Sequence, residues 1–378
     1  MKKLLLFLSI LFIPLICKAE DINLANNAAA GILMEASTGK ILYDKDSNLK
    51  LAPASMTKIM TMLLIMEAVE DGKINLNDMI LVSSNAASMG GSQVFLQPNT
   101  EIKAEELLRS IAVASANDSA VAMAEAIYGT TDAFVNKMNE RCKALGCTNT
   151  NFANVHGLDD PNHYTTAHDM ALMAKELLKH EKILEYSSTY EAYLQKPDGT
   201  STWMVNTNKL IKYYNGLDGL KTGYTNNAGY CLTATAQRGG MRLISVLMKE
   251  PTSEIRNSET IDLLNYGFTN YKIKTILNKD KDLGYVEVLN GKNKTASIKL
   301  IEDATNLEGI NEENNYTYNI KVEPIKAPVK KGEKVGYLEI ISNGKVIKNV
   351  DITVKEDILK ANLWDLYKRN LNMFLIGN

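Results

Sequence analysis

The sequence predicts an α+β protein with an antiparallel sheet flanked by helices, followed by a small all-β domain and a C-terminal amphipathic helix. Three observations support this prediction. Strand patterns stand at both ends of the first 270 or so residues, with helical patterns between them. Strand-like alternation replaces helical patterning after about residue 272, and a helical period returns at the C-terminus. A chain of 378 residues also exceeds what one hydrophobic core usually serves, so two domains are expected.

The first domain begins with strands and continues with helices. Residues 28–44 are typical of a hairpin around a Ser-Thr-Gly-Lys turn. Pro53 precedes a helical stretch from Ser55 to about Val69, and the small and polar residues 83–92 predict a loop. Further helical patterns cover 103–114, 118–127, 131–145, 167–180 and 253–266, and strands around a Gly-Gly turn cover 217–248.

The chain after about residue 272 contains two segments with different sequence patterns. Alternating segments with Asn-Gly turns at 290–291 and 343–344 predict an all-β domain over residues 275–353. In residues 355–378, a helical wheel gathers apolar and aromatic side chains on one side, although Lys360 and Asn370 interrupt that face. This segment is too polar to span a bilayer. We expect it to lie in the membrane interface, the alternative being an ordinary packing helix.

The N-terminus predicts export. Lys2 and Lys3 precede an apolar run that is shorter than a transmembrane helix and ends at Cys17-Lys18-Ala19. We therefore expect a signal peptide over residues 1–19, cleaved after Ala19, and a mature protein on the outer face of the cytoplasmic membrane. A lipoprotein beginning at Cys17 is the alternative, but Ile16 is bulky where that signal needs a small residue.

Charge and cysteine content narrow the function classes. The formal net charge of −2 becomes −5 once the three lysines of residues 1–19 are removed, and no basic tract is present, so a nucleic-acid partner is not expected. Cys142, Cys147 and Cys231 follow the leader. Cys142 and Cys147 form either a disulfide or, as we favour, buried free thiols. The spacing of His163 and His168 fits no common metal site, so neither a metal nor another cofactor is expected.

An S-x-x-K pattern occurs four times, and one occurrence has the setting that nucleophilic catalysis requires. The patterns that begin at Ser37, Ser47 and Ser342 lie in turns or a polar loop. Ser55 and Lys58 instead open a strong helical stretch, where a three-residue spacing places both side chains on one face. The helix N-terminus favours a developing negative charge, and burial would let Lys58 act as a neutral base.

Two further short motifs follow the Ser55–Lys58 pair along the chain, one of the S-x-N form and one K-T-G. Ser115-Ala116-Asn117 follows Ser55 by 60 residues and lies between two helical stretches. Lys221-Thr222-Gly223, on a predicted strand, is the K-T-G sequence of this chain. Ser83-Ser84-Asn85 also has the S-x-N form, but it lies in the predicted loop only 28 residues after Ser55.

Serine and lysine, then S-x-N, then K-T-G, is the motif order of penicillin-binding enzymes. The chain closely resembles the low-molecular-mass D-alanyl-D-alanine carboxypeptidases, peptidase family S11, over essentially its whole length after the leader. The segments that carry the resemblance are PASMTKIMT, SANDSAVAMAE, NVHGLDDPNHYTTAHDMA and DGLKTGYTNNAGYCLTATA. The resemblance implies a β-lactamase/transpeptidase-like catalytic domain over residues 20–272, a peptidoglycan stem peptide ending in D-Ala-D-Ala as substrate, and inhibition by β-lactams.

The resemblance also implies roles for individual residues. Ser55 attacks the carbonyl between the two terminal D-alanines and forms an acyl-enzyme. Lys58 takes the Ser55 proton, and Ser115 with Lys221 relays a proton to the departing D-alanine. Asn117 holds the substrate's amide backbone.

The remaining implied roles concern the carboxylate and the oxyanion. Lys221, Thr222 and Gly223 face the terminal carboxylate, assisted by Arg256. The backbone N–H groups of Ser55 and Tyr224 form the oxyanion hole. Tyr224 stands where the family often has histidine, which implies altered substrate preference or rate and not lost function.

Three other functions compete with this hypothesis. A class A β-lactamase carries an E-x-x-L-N loop, and residues 118–220 contain none. A non-catalytic wall-binding scaffold is disfavoured because all three motifs are intact. A dedicated transpeptidase is disfavoured by chain length, although the motifs do not tell water from an amine as the acceptor.

Overall fold

The structure, a computed structural model, describes residues 24–365 and 367. Its helices are α1 Lys58–Glu70, α2 Ser84–Ala87, α3 Ala104–Ala114, α4 Asn117–Tyr128, α5 Thr131–Ala144, α6 Ala167–Leu177, α7 Ile183–Ser187, α8 Leu210–Tyr213 and α9 Ser253–Asn270.

The strands of the first 250 residues are β1 Ala30–Glu35, β2 Ile41–Lys45, β3 Met79–Leu81, β4 Glu101–Lys103, β5 Glu191–Gln195, β6 Ser201–Val205, β7 Leu217–Thr225, β8 Gly229–Arg238 and β9 Met241–Glu250. The later strands are β10 Tyr271–Leu277, β11 Tyr285–Leu289, β12 Thr295–Leu300, β13 Ala304–Gly309, β14 Tyr316–Val322, β15 Ile325–Lys326, β16 Gly336–Ser342 and β17 Lys345–Val354.

A five-stranded antiparallel sheet of order β2-β1-β9-β8-β7 organises the first domain. Strand β9 is apolar almost throughout because both faces of the sheet are covered. Ile244, Val246 and Met248 point into the core that contains α1 and α3–α6, whereas Leu243 and Leu247 point to the other side, beneath α9. This two-residue alternation explains why β9 lacks the polar face of a half-exposed strand.

Helix α1 lies inside the first domain. Met60, Leu63, Leu64 and Ile65 are all buried, and together they cover every side of the helix. A helix that is apolar all round needs neighbours on every side. The sheet and helices α3–α6 supply these neighbours, and they hold the N-terminal end of α1 next to β7. The residues just before α1, Ala54–Thr57, form a 3₁₀ turn.

The C-terminal strands form two sheets with their own core. The larger sheet has the order β14-β16-β17-β12-β11-β15, and a ribbon of β10 with β13 accompanies it. Ile298, Leu338, Ile340 and Ile352 are buried within this all-β unit. The α+β architecture with an all-β C-terminal domain confirms the predicted fold class.

Three elements differ from the sequence-based expectation. Residues 83–92 are not loop throughout, since α2 occupies part of them and the Ser83 hydroxyl caps it by accepting from the Ala86 N–H. The ribbon of β5 with β6 and the short pair of β3 with β4 were not predicted. Each of these strands has at most five residues and shows little alternation of its own, so pairing with a partner strand decides its conformation.

Two predicted segments fall at the ends of the chain. The signal peptide of residues 1–19 lies outside the described residues, as does half of the segment 355–378 expected to be an amphipathic helix. In the described half, residues 355–362 are not helical, because Ile358 pairs with Val329 and is buried in the core of the β domain, and helix begins only at residue 363. Across residues 24–365 and 367, the helices are all too short or too polar to cross a bilayer. Cys142, Cys147 and Cys231 are buried free thiols.

Candidate active site

Ser55 lies in a tight turn at the start of α1. The 3₁₀ turn Ala54–Thr57 places Ser55 one turn ahead of Lys58, and Ser55 is partly exposed while the rest of the turn is buried. Ala54 has a positive φ of 48° and packs against the backbone of Gly157. The serine therefore sits on a turn that packs against the Gly157 backbone, at the N-terminal end of a buried helix.

Lys58 is completely buried and points at Ser55. Its Nζ donates to Ser55 Oγ at 3.1 Å, to Asn117 Oδ1 at 2.6 Å and to the His156 carbonyl at 2.7 Å. Burial lowers the pKa of Lys58 well below its ordinary value. The nearby charge of Lys221 lowers it further, and Asp118 opposes them. An amine without its proton, 3.1 Å from a serine hydroxyl, can accept the proton of that hydroxyl.

Ser115 and Asn117 enter the same cleft from the junction of α3 and α4. Ser115 ends α3 in the left-handed conformation, with φ of 62°, and its buried Oγ has no hydrogen-bond partner among residues 24–365 and 367. The amide of Asn117 is held on both sides, because its Oδ1 accepts from Lys58 and its Nδ2 donates to the Gly90 carbonyl at 2.7 Å.

Strand β7 forms the opposite wall of the cleft. A Cβ added to Gly223 would lie 2.8 Å from the Pro53 carbonyl oxygen and 3.2 Å from the Met56 nitrogen, so only glycine lets β7 lie this close to the serine turn. Lys221 is fully buried. Burial and the charge of Arg256 lower its pKa to about 7. The structure thus brings all three motifs to one cleft, with Arg256 of α9 at its edge.

A profile of the D-alanyl-D-alanine carboxypeptidase family matches residues 18–252 of this chain. The chain belongs to this family. A second profile, that of the penicillin-binding protein 5 C-terminal domain, matches residues 271–360. The chain is accordingly a serine hydrolase of the S11 carboxypeptidase family with a penicillin-binding-protein fold.

Named relatives agree with this assignment. D-alanyl-D-alanine carboxypeptidase DacF of Bacillus subtilis (strain 168) is 45% identical over 351 residues, which are 92% of this chain and 90% of the relative. D-alanyl-D-alanine carboxypeptidase DacA of Escherichia coli (strain K12) is 32% identical over 92% of this chain and 89% of its own. Penicillin-binding protein 5 of Haemophilus influenzae, a crystal structure, aligns with a TM-score of 0.70 at 32% identity, covering 88% of this chain and 98% of that one.

Several residues of this carboxypeptidase's cleft were missed from sequence. The His156 carbonyl and Gly157 hold Lys58 and the serine turn, and the Thr207 hydroxyl accepts from Thr222 Oγ1 at 2.7 Å. Asp118 accepts from the N–H groups of Val94 and Leu96, which fixes the loop beside Asn117. A backbone carbonyl or a single uncharged side chain cannot be recognised from a sequence motif, because it requires no particular residue type at its position. The signals that were available were Gly157 itself and the acid that follows Asn117.

The sequence patterns set aside as coincidental lie elsewhere in this carboxypeptidase. Ser37 Oγ donates to Glu35 and Ser47 Oγ donates to Asp44, each within its own turn. Ser342 and Lys345 face each other across the turn between β16 and β17. Asn85 of the second S-x-N pattern donates to Glu125 on the surface of α4.

Proposed function

We propose that Ser55 is the nucleophile and Lys58 its general base in a carboxypeptidase that removes the terminal D-alanine from peptidoglycan pentapeptide stems. The single observation that carries the proposal is the contact between Ser55 Oγ and the buried Nζ of Lys58 at 3.1 Å. The Asn117 Oδ1 and the His156 carbonyl fix the direction of that amine.

The reaction takes two steps. Ser55 Oγ attacks the carbonyl of the penultimate D-alanine as its proton passes to Lys58. The bond to the terminal D-alanine nitrogen then breaks, the free amino acid leaves and an ester to Ser55 remains. Water attacks this ester, its proton is taken by the same base, and Ser55 regains its hydrogen. In both steps the backbone N–H groups of Ser55 and Tyr224 stabilise the oxyanion.

Ser115 and Lys221 relay to the departing amine the proton that Lys58 took from Ser55, which leaves Lys58 neutral again for the second step. The Ser115 hydroxyl is buried without a fixed partner among the described residues, so its hydrogen is free to point at the substrate nitrogen. Lys221, with its pKa lowered to about 7, exchanges a proton readily near neutral pH.

The terminal carboxylate binds to the K-T-G strand. Two cationic side chains lie in a buried corner of the cleft, those of Lys221 and Arg256. The Thr222 hydroxyl and the Gly223 backbone lie beside them. Asn117 uses one of its two Nδ2 hydrogens on Gly90, which leaves the other for an amide carbonyl of the substrate.

Peptidoglycan lies outside the cytoplasmic membrane, so the enzyme acts there. We propose that residues 1–19 direct its export and that the chain divides into a catalytic domain over 20–272, a β domain over 275–353 and a membrane-associating segment over 355–378. The exposed Leu363, Trp364 and Tyr367 support membrane contact. Deleting residues 363–378, which keeps Ile358 in the core of the β domain, should release the enzyme from membranes and leave its activity intact. Retained membrane binding would contradict the anchor.

Benzylpenicillin tests the nucleophile and the base together. We expect intact-protein mass spectrometry to show one bound penicillin on the wild type, located at Ser55 by peptide mapping, and none on Ser55→Ala. Lys58→Ala should slow adduct formation at least about a hundredfold. Ser37→Ala and Lys40→Ala, in the exposed S-x-x-K pattern, are matched controls that should acylate at the wild-type rate. An adduct on Ser55→Ala, or rapid release of hydrolysed penicillin by the wild type, would contradict the proposal.

A further inference from the structure

The ribbon of β5 and β6 has one buried face and one exposed face. Leu194 and Met204 are buried against the first domain. On the opposite face, Tyr193 and Trp203 stand directly across from each other and are 59% and 58% exposed. These two large aromatic side chains, directly opposite each other on neighbouring strands, form an exposed aromatic platform, a kind of surface that commonly marks a binding site.

Polar groups border this platform. The Trp203 indole N–H donates to Glu191 at 3.1 Å, which fixes the ring against the ribbon. Gln195 and Ser201 form the next cross-strand pair on the same face. Flat aromatic rings beside hydroxyl, amide and carboxylate groups match the chemistry of a sugar, whose C–H face packs on the ring and whose hydroxyls hydrogen-bond to the border.

The ribbon is attached to the active site at both of its sides. On its buried face, Thr202 Oγ1 donates to the Val94 carbonyl at 3.2 Å, in the loop that Asp118 fixes beside Asn117. Beyond the end of β6, the chain reaches Thr207, whose hydroxyl accepts from Thr222 of the K-T-G strand. These contacts place the ribbon next to the segments that position Asn117 and Thr222.

The spacing agrees with the size of a stem peptide. Thr207 follows Trp203 by four positions along the chain, so their Cα atoms lie at most about 14 Å apart. Four residues of the stem likewise separate its sugar from the scissile bond, and extended they reach at most about 14 Å. A stem peptide bound in the cleft can therefore lay the sugar to which it is attached on the aromatic pair.

We propose that the exposed face of β5 and β6 binds the N-acetylated glycan strand that carries the stem peptide. The inference rests on the proposed carboxypeptidase function, because the cleft must hold that peptide. The enzyme then recognises the polymer on two surfaces, the peptide in the cleft and the sugar on Tyr193 and Trp203. A lipid headgroup region is the competing occupant, but the Glu191 carboxylate beside the indole disfavours an anionic membrane surface.

Kinetics on two substrates test the proposal. Trp203→Ala and Tyr193→Ala should lower kcat/KM roughly five- to tenfold on uncross-linked glycan chains bearing pentapeptides, as expected for the loss of one aromatic contact. Both variants should hydrolyse a sugar-free peptide ending in D-Ala-D-Ala within about twofold of the wild-type rate. Tyr285→Ala, at an exposed tyrosine of the β domain, is the control and should match the wild type on both substrates. Equal losses on both substrates, or no loss on either, would overturn the glycan site.

Direct binding separates this proposal from the catalytic one. The chain contains two tryptophans, so Trp364→Phe leaves Trp203 as the only indole reporter. Its fluorescence should change on titration with peptide-free glycan oligosaccharides and should not change with vesicles containing anionic phospholipid. A change with vesicles alone would overturn the proposal in favour of a membrane contact. Because this titration needs no catalysis, it reports on the sugar site even if Ser55 takes up no penicillin.

Discussion

Two lysines with lowered pKa values lie in one cleft. Burial is the main cause for both, but the neighbours differ: the charge of Lys221 acts on Lys58, and the charge of Arg256 acts on Lys221. Lys58 faces the serine and needs to be neutral to accept a proton. Lys221 with a pKa of about 7 is charged in part at neutral pH, which suits carboxylate binding.

Arg256 should therefore set the alkaline limit of substrate binding. We expect KM for a peptide ending in D-Ala-D-Ala to rise as the pH increases through about 7, since Lys221 loses its charge there. Arg256→Gln removes a positive charge that lowers the pKa of Lys221. The alkaline limb, meaning the rise of KM with pH, should therefore move to higher pH, even though KM is larger overall without the arginine. KM measured from pH 6 to 9 provides the test. Arg238→Gln, whose guanidinium stacks on Tyr214 and Phe268, should leave the limb in place. A limb that does not move in Arg256→Gln would contradict the coupling.

At the scale of elements, the loop before α6 supports the serine turn through a close backbone approach. Gly157 has a φ of +94°, and a Cβ there would lie 1.9 Å from the Ala54 carbonyl oxygen. That overlap involves backbone on both sides, so no side-chain rotation can relieve it. The neighbouring His156 carbonyl binds Lys58, so displacing this loop would disturb both proposed catalytic groups.

Gly157→Ala should damage stability and acylation together, by several kcal/mol and by at least about tenfold in the rate of penicillin adduct formation. Gly199→Ala is the matched control, because Gly199 has a similar φ of +82° but nothing within 4 Å of an added Cβ. Gly199→Ala should lower the free energy of unfolding by only about 1 kcal/mol, because it carries the backbone strain of a positive φ without a steric overlap. Urea unfolding and acylation kinetics measure the two effects, and equal behaviour of the two variants would show that the close approach is unimportant.

Strand β9 and helix α9 meet at a pair of buried acids. Both oxygens of Glu250 and Oε2 of Glu259 find no donor within the part of the chain that the structure describes, whereas Glu259 Oε1 accepts from Asn27. Burial is the main cause that raises the pKa of Glu250 to about 8, and the neighbouring Glu259 carboxylate raises it further. A proton on Glu250 supplies the missing donor between the two carboxyl groups.

This pair should make the protein less stable at alkaline pH. Because the folded pKa of Glu250 lies above the unfolded value, its contribution is complete below pH 4.5 and is lost as the pH rises through about 8. Glu250→Gln keeps a donor without titrating, so the free energy of unfolding should fall less between pH 6 and 9. Glu254→Gln, exposed on the first turn of α9, should keep the wild-type slope. Denaturant unfolding across this range tests the prediction, and identical slopes in Glu250→Gln and wild type would refute it.

At the scale of the whole molecule, we expect stability in acid to depend on His163, which is buried between the serine turn and the loop before α6. The Ala153 N–H donates to His163 Nδ1 at 2.9 Å, so the proton lies on Nε2, which contacts Thr57 Oγ1 at 2.7 Å. Burial lowers the pKa of His163 to about 4, and it lowers the pKa of the partly buried His156 to about 4 as well.

Stability should accordingly fall in mild acid. The folded pKa of His163 lies below its unfolded value, so its contribution is complete above pH 6.5 and is lost as the pH falls through about 4, amounting to roughly 3 kcal/mol. His163→Gln keeps hydrogen-bonding groups but does not titrate, and it should flatten the loss measured by urea unfolding between pH 7 and 4. His168→Gln, at a more accessible histidine, should retain the full loss. An unchanged slope in His163→Gln would mean that other groups control acid unfolding.

The sequence by itself determined the fold class, the family and the residues proposed for the chemistry. Apolar strands bounded by turns at β1, β7, β8 and β9, and long helical periods between them, are local properties of the sequence. In the structure both faces of the sheet and most of α1 are buried, as this apolar pattern requires. The motifs at Ser55, Ser115 and Lys221 were legible because their order and residue types are rare in combination.

Only the tertiary structure decided what surrounds those motifs. Lys58 bonds to a carbonyl 98 residues away, and Thr222 bonds to a hydroxyl on a segment with no motif. No periodic pattern or fixed motif spacing in the sequence predicts either contact, because each contact arises from packing between segments that are distant along the chain. The ribbon of β5 and β6 was likewise not predictable from the sequence. Its pairing and its aromatic face exist only once a buried face rests on the first domain, since short strands draw their stability from neighbours.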